Sequence, residues 1–146
     1  MARLDVSFDE RFFSELGKLA DVERLAPKLI DAALPIIRDK LRQLYGSYKI
    51  AEKLKLIKAK RAKNGGYIGT ITMKGDSGKY YIKGKRRYPL SNAGLAVFLE
   101  FGARAHGNFP ARPPGGYIAK AVAQTENEVK AKMQETFEEE MRGLEL

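Results

Sequence analysis

Few side chains in this sequence are of the types that carry out catalysis. There is one histidine, His106, and no cysteine, so one copy cannot supply a histidine pair, a histidine relay or a thiolate metal site. Glu100 lies within an apolar segment, where a carboxylate suits either a general acid or an ion pair. We favour an ion pair with Arg104, Arg112 or a neighbouring subunit. No serine has a candidate base beside it, and we expect no enzymatic activity, no metal and no cofactor.

Lysine and arginine offer a clearer kind of chemistry, which is the binding of a polyanion. The chain has a net charge of +9, and residues 45–90 carry thirteen Lys and Arg against two Asp and Glu. Two groups of cations stand out in this segment: Lys58, Lys60, Arg61 and Lys63, then Lys83, Lys85, Arg86 and Arg87. Non-specific contact with DNA phosphates is the function that such residues support, and an ordinary solvated surface is the alternative.

Aromatic and glycine residues are interleaved with these cations. The tyrosines of the segment either stack on nucleic-acid bases or belong to a half-buried sheet, and the second role is the commoner one: Tyr67, Tyr80, Tyr81 and Tyr88. The glycines between residues 65 and 84 include no Gly-Lys-Ser/Thr phosphate loop, and their spacing suits hairpin turns.

The first 45 residues are expected to be helical. Ser7-Phe8-Asp9-Glu10 has the spacing of a capping box, and helically spaced apolar residues follow it at Phe12, Leu16 and Leu19. A second helix is predicted after Asp21. Its apolar stripe comprises Val22, Leu25, Leu29, Ala33, Ile37, Leu41 and Leu44. We expect a kink at Pro35, and an end at Tyr45-Gly46-Ser47.

Residues 54–83 are expected to form a small antiparallel sheet of three strands. Asn64-Gly65-Gly66 provides the turn of a basic hairpin, and Gly75-Asp76-Ser77-Gly78 provides a second turn before the strand Lys79–Lys83. We expect residues 84–89 to be an exposed loop, because three adjacent cations repel one another less when they are solvated.

A short helix, a loop and a long helix complete the predicted order. The short helix covers residues 92–102, with Asn92 as its N-cap and Gly102 after its last turn. A Gly- and Pro-rich loop covers residues 103–116, and the C-terminal helix covers residues 117–142. Its inward side chains are predicted to be Ile118, Val122, Val129, Met133 and Phe137. The whole chain, 1–146, is predicted to be one α+β domain whose C-terminal helix packs on the sheet.

Composition excludes two further classes of protein. Apolar residues make up 44% of the chain, which is enough for a core and argues against wholesale disorder. The longest apolar runs, Ala32–Ile37 and Leu95–Leu99, are far shorter than the roughly 20 residues of a membrane span. No signal peptide and no membrane partner are expected.

Two short motifs resemble those of a bacteriophage family. Val97-Phe98-Leu99-Glu100-Phe101-Gly102 is followed by Pro110-Ala111-Arg112-Pro113 and then by a terminal helix, and an N-terminal helix and a basic hairpin come first. This order resembles the small tail-component or tail-completion (neck, head–tail joining) family of long-tailed double-stranded-DNA bacteriophages and prophages. The likeness runs from about Ser7 to Arg142.

The resemblance implies a structural virion protein made in the host bacterial cytoplasm. Such a protein would form a homo-oligomeric ring, expected to be hexameric, between the connector or head-closure protein and the tail-tube or tail-terminator protein. The basic residues would then face the DNA channel. The implied subunit interface and docking loop comprise Phe98, Glu100, Phe101, Gly102, Arg104, Pro110, Arg112 and Pro113.

A second hypothesis remains open at this stage. The chain could be a free-standing basic nucleic-acid-binding module without sequence specificity and without a virion. Such a module predicts strong, salt-dependent binding of the isolated chain to DNA or RNA. An assembly component predicts weak binding in solution and incorporation into particles.

Overall fold

The computed structural model describes residues 3–7, 22–105, 107–108 and 110–144, and it combines helices with small antiparallel sheets. The predicted α+β class is therefore confirmed. The strands are β1 (Arg3–Ser7), β2 (Leu54–Arg61), β3 (Tyr67–Met73), β4 (Asp76–Lys83) and β5 (Arg86–Ser91). The helices are α1 (Val22–Tyr45), α2 (Asn92–Phe101) and α3 (Tyr117–Leu144), with a short 3-10 helix at Lys49–Lys53.

Helix α1 is the central element of the core. Its buried residues include the predicted stripe from Leu25 to Leu41. They also include residues beside that stripe, such as Ala26, Ile30 and Leu34. An apolar surface this broad covers more than one neighbour. The helix continues through Pro27 and Pro35 and ends at Tyr45, as predicted. Gly46 follows with a φ of 57°, the left-handed conformation that glycine adopts readily.

The first sheet has the strand order β1-β3-β2, and both pairings are antiparallel. Ile71 on the central strand is fully buried and lies opposite Leu4 on β1 and Leu56 on β2. Helix α1 packs on β2 and β3. The predicted turn at Asn64-Gly65-Gly66 is confirmed, because Ala62 N–H donates to the Gly66 carbonyl and Gly65 has a φ of 90°.

The N-terminal strand corrects the prediction that residues 1–45 are helical. Arg3–Ser7 is extended and pairs along β3, with Asp5 Oδ1 accepting a 2.6 Å hydrogen bond from the Thr70 hydroxyl. Ser7 therefore ends a strand. The rest of the predicted capping box and the first apolar stripe lie outside the described residues. The physical reason is a partner about 65 residues away, which a local helical pattern cannot indicate.

The second sheet corrects the predicted three-stranded arrangement of residues 54–83. Strand β4 pairs with β5 in a separate two-stranded sheet, so the predicted loop at residues 84–89 is mostly strand. Tyr81 and Tyr88 are cross-strand partners whose rings stack at 5.5 Å. A two-stranded ribbon leaves the cations of this segment exposed, so they remain solvated without a loop.

Helices α2 and α3 agree with their predicted bounds to within two residues. The N-cap of α2 is Ser91, whose hydroxyl accepts from Gly94 N–H at 3.0 Å, and not Asn92 as predicted. Asn92 is buried, and its side-chain amide donates to the Lys74 carbonyl at 3.0 Å. Gly102 ends the helix as predicted, with a φ of 85°.

Helix α3 runs antiparallel to α1 and packs along it. Tyr117 lies against Tyr45 at one end, and the Glu140 carboxylate accepts from Lys28 and Arg24 at the other. Of the side chains predicted to face inward, Val129 and Met133 are buried, and Ile118 and Phe137 are half-buried and packed on the core. Val122 is 46% exposed, so its predicted inward position is wrong.

A substitution at Gly69 tests how closely α1 packs on β3. A Cβ at this position would lie 2.5 Å from Ile30 Cγ2 and 2.5 Å from Leu34 Cδ1, so one of them must shift. We expect Gly69→Ala to lower the free energy of unfolding by about 1–3 kcal/mol, as overpacking does. Urea unfolding measures the loss.

Gly66→Ala is the matched control, because it adds the same methyl group on the same hairpin. The nearest atom there is Asn64 Oδ1 at 3.5 Å, and the residue has no positive φ. Its effect should stay within about 0.5 kcal/mol. Equal stabilities for the two variants would show that α1 and β3 are not in tight contact at Gly69.

Candidate functional site

The β4–β5 hairpin carries one of the two predicted groups of cations. Lys83, Lys85, Arg86 and Arg87 are all exposed. Lys83 and Arg86 are directly opposite each other in the pairing, which places like charges side by side. Arg87 stacks on the Tyr80 ring, with its guanidinium carbon 3.8 Å from the ring centroid. No acidic side chain in the described part of the chain forms an ion pair with these four cations.

Strand β2 and its turn carry the other group. Lys58, Lys60, Arg61 and Lys63 are exposed, as expected for a polyanion-binding surface. Arg61, however, forms an ion pair with Glu23 of α1 at 3.3 Å. A bulge interrupts the pairing between Ile57 and Lys60, and there Ala59 N–H donates to the Asp31 carboxylate of α1 at 2.8 Å. This group therefore lies beside acidic side chains of α1.

The structure places the two groups on different sheets. The sequence predicted neighbouring strands, with the second group beside the first. Because β4 pairs with β5 and not with β3, the cations extend from two separate hairpins. The predicted residues are all exposed, but the structure does not bring them together in one sheet.

Helix α2 presents an exposed apolar face. Phe101, a predicted interface residue, is 73% exposed, and Val97 one turn earlier is 46% exposed. Residues four apart lie on the same side of a helix, so these two side chains share a face. Phe98, also predicted at the interface, is half-buried and packs on the core. Phe101 is thus available to a partner, whereas Phe98 supports the position of the helix.

Glu100 binds the start of α3. Its carboxylate accepts hydrogen bonds from Ile118 N–H at 2.8 Å and Ala119 N–H at 3.3 Å, which are free donors in the first turn of α3. The negative charge also lies at the positive end of that helix. In the part of the chain that the structure describes, no ion pair joins Glu100 to Arg104, and a pair with a neighbouring subunit stays a prediction. The carboxylate therefore joins α2 to α3.

The predicted docking loop, residues 103–116, is fastened to the rest of the subunit at several points. Ala103 and Arg112 exchange backbone hydrogen bonds of 3.1 and 2.9 Å, and the Arg112 guanidinium donates to the Tyr48 hydroxyl. Gly115 N–H donates to the Leu99 carbonyl at 2.9 Å. A Cβ on Gly102 would lie 2.9–3.1 Å from loop backbone atoms, so only glycine fits there. Of the other predicted loop residues, Arg104, Pro110 and Pro113 are exposed.

The loop also reaches the β4–β5 hairpin. Asn108 Oδ1 accepts from Tyr80 N–H at 2.8 Å, and Gly107 packs so closely on Tyr80 that a Cβ would lie 2.5 Å from its ring. His106 and Phe109 lie outside the described residues. The contacts of Asn108, Tyr48 and Tyr45 could not be read from the sequence, because each is made with a partner far away in the chain.

No group of His, Asp or Glu suited to a metal ion occurs among the described residues. In the same part of the chain, none of the helices combines the length and the apolar character that crossing a membrane requires. The chain matches no protein-family model, no curated protein and no solved structure.

Glu100→Ala tests the cap that joins α2 to α3. The variant leaves two amide donors of α3 without their acceptor, so we expect a loss of about 0.5–2 kcal/mol in the free energy of unfolding. Glu100→Gln keeps an acceptor oxygen and should lose less. Glu128→Ala, on the exposed side of α3, is the control for removal of an acid. If Glu100→Ala and Glu128→Ala unfold at the same denaturant concentration, the cap contributes nothing.

Tyr45→Phe tests a buried hydroxyl near this junction. The Tyr45 hydroxyl has no hydrogen-bond partner among the described residues. Burial raises the pKa of this phenol, and the charges of Glu100 and Tyr117 raise it further. The unfolded chain therefore ionises this phenol at a lower pH than the folded chain does, so the natural chain loses stability as the pH rises above about 10. Removing the hydroxyl should raise the free energy of unfolding at pH 7 by about 0–1 kcal/mol.

The measurement is guanidinium unfolding at pH 7 and above pH 10. The difference in stability between Tyr45→Phe and the natural chain should grow in favour of the variant at the higher pH. Tyr88→Phe is the comparison, because it removes the hydroxyl of a half-buried tyrosine on the β4–β5 hairpin. A large loss of stability in Tyr45→Phe at pH 7 would mean that the hydroxyl has a partner in solution.

Proposed function

We propose that this chain is a structural component of a bacteriophage head–tail junction. Copies of it form a homo-oligomeric ring between the connector or head-closure protein and the tail-tube or tail-terminator protein, around the DNA channel. The chain is made in the bacterial cytoplasm and ends in the virion. The motif at residues 97–102 and the loop at residues 110–113 suggested this role from the sequence, and three features of the described residues support it.

The exposed face of α2 is the observation that carries the proposal. Phe101 and Val97 expose apolar surface on a helix whose other side belongs to the core. Single exposed apolar side chains are ordinary, but an aromatic and an aliphatic side chain that share one exposed helix face suit a surface that another protein covers. A free nucleic-acid-binding module has no need of such a face.

The cationic hairpins support a position beside DNA. Their side chains are solvated, and most of them have no acidic partner in the described structure. Cations of this kind bind phosphates without regard to base sequence, as a protein that surrounds passing DNA requires.

The hydrogen bonds of the loop at residues 103–116 support the interpretation of the chain as a rigid assembly component. Backbone hydrogen bonds hold residues 102–103, 112 and 115–116 to one another and to the end of α2. A neighbouring subunit would therefore meet a loop that is already in place, which reduces the entropy lost on assembly.

The free-standing nucleic-acid module is the second candidate, and the cations alone favour it. It predicts that the purified chain binds DNA tightly at physiological salt, whereas the assembly component predicts weak binding by a single copy and strong binding only by the ring. Light scattering of the purified chain, alone and with DNA, distinguishes these cases.

Phe101→Asp in the encoding phage or prophage tests the proposal. Because Phe101 is 73% exposed, the variant should fold with a change of about 0.5 kcal/mol or less. A charge on the apolar face should prevent assembly, so lysates should contain DNA-filled heads and separate tails in electron micrographs. Ala131→Asp, on the exposed side of α3, is the control and should yield complete particles. Normal infectivity of Phe101→Asp, or normal particles in the absence of the gene, would contradict the proposal.

A further inference from the structure

The two cationic groups differ in their surroundings, and the difference assigns them different roles. Strand β2 is an edge strand of its sheet. Lysines on an edge strand discourage unwanted pairing with another chain, so Lys55, Lys58 and Lys60 have a structural explanation without any ligand. Arg61 is already paired with Glu23, and the Asp31 carboxylate is bound under the bulge.

Both strands of the β4–β5 hairpin are also edge strands, but no acidic side chain in the described part of the chain pairs with the cations at its tip. Its one acidic residue, Asp76, is at the base of the hairpin, where the carboxylate accepts from Gly78 N–H at 2.7 Å. Lys83 and Arg86 are cross-strand partners at the tip, with Lys85 between them in the chain. Like charges directly opposite destabilise a hairpin unless a counter-charge is present. The tip is therefore suited to an anion with closely spaced negative charges.

Contacts around Tyr80 fix the orientation of the Arg87 side chain and the position of strand β4. The Tyr80 ring supports the Arg87 guanidinium, its N–H is bound by Asn108, and Gly107 packs against it. The Ser77 hydroxyl donates to the Leu90 carbonyl at 2.6 Å across the base of the hairpin. An isolated two-stranded hairpin is marginally stable, and these contacts supply the support that it lacks.

The same contacts decide which nucleic acid the hairpin fits. Single strands bind to proteins largely by stacking bases on aromatic rings. Here Tyr81 and Tyr88 stack on each other, and Tyr80 is occupied by Arg87 and Gly107. Each of these rings therefore already has a partner, whereas the cations at the tip are exposed, so the contact that the hairpin offers first is between cations and a phosphate backbone.

We infer that the β4–β5 hairpin, rather than β2 and its turn, binds the phosphate backbone of duplex DNA, with Tyr80 as the positioning residue for Arg87. This inference rests on the proposed function in taking DNA as the polyanion. It goes further in naming which hairpin faces the DNA and in assigning the contact to the phosphate backbone instead of to stacked bases.

The test compares three triple variants of the full chain, each of which removes three positive charges. The first is Lys83→Ala, Lys85→Ala, Arg86→Ala. The second is Lys58→Ala, Lys60→Ala, Lys63→Ala. The third is a control at exposed lysines outside both groups: Lys49→Ala, Lys53→Ala, Lys55→Ala. Binding to a short fluorescent duplex of mixed sequence is measured by anisotropy over a range of NaCl concentrations.

The hairpin variant should bind more weakly, and its plot of log affinity against log salt should be shallower by about 2–3, which is about 0.9 for each lost phosphate contact. The other two variants should change the slope by about 1 or less. Equal changes in all three, or the largest change in the β2 variant, would overturn the assignment. Tighter binding to a single strand of the same length, or to duplex RNA, would overturn the choice of duplex DNA.

Tyr80 is tested by two substitutions that differ in the ring. Tyr80→Phe keeps the surface on which Arg87 stacks and should bind like the natural chain. Tyr80→Leu loses it, and affinity should fall by about two- to fivefold with the salt slope unchanged, because the charge of Arg87 remains. Equal binding by both variants would show that Tyr80 does not position Arg87.

Failure of this inference is distinguishable from failure of the proposed function. If the natural chain binds no DNA even at low salt, the hairpin assignment is wrong. The particle assay with Phe101→Asp still decides the head–tail role, because that assay depends on the α2 face and not on the cations.

Discussion

Burial of α1 on more than one side is the constraint on which the rest of the structure depends. Leu25, Ile30, Leu34 and Leu41 are each no more than 1% exposed, although they do not share one narrow stripe. The first sheet covers part of this surface through β2 and β3, and α3 lies along another part. A helix so fully enclosed fixes its neighbours, because neither can move without exposing apolar area at about 25 cal/mol per Å². The exposed α2 face and the cationic β4–β5 hairpin are carried by elements that pack less extensively on α1 than these neighbours do.

The junction between α2 and α3 fixes the position of elements that lie farther from this core. Glu100 binds the first turn of α3, and Leu99 and Glu100 accept backbone hydrogen bonds from Gly115 and Gly116. The apolar residues of α2 thus divide into two sets. Leu95 and Leu99 enter the core, while Val97 and Phe101 remain at the surface. This apolar segment therefore contributes to both the core and the surface, and the carboxylate within it joins α2 to α3.

Local patterns predicted the three described helices, the β2–β3 turn and the exposure of the cations, because each depends on neighbours within a few residues. They failed where the partner is distant. The extended segment at Leu4 needs β3, and β4 could not be assigned to β5 while Arg86 and Arg87 were regarded only as repelling charges. The alternation of Arg3 to Ser7 was a usable signal for a strand. Nothing local indicated that Glu100 would bind the amides of Ile118 and Ala119, since the intervening loop had no predictable path.

Tyr80 shows why charge alone is an incomplete description of the candidate site. Four exposed cations on a two-stranded ribbon would be a mobile and self-repelling group, and ordering them on a ligand would cost entropy. The structure removes much of that cost before any ligand arrives, since Asn108 holds the strand and the Tyr80 ring holds Arg87. The support comes from the loop that the α2–α3 junction fastens in place. Rigidity at the hairpin therefore derives from the same chain of contacts that begins with Glu100, so the apolar face of α2 and the cationic tip are held by one connected framework.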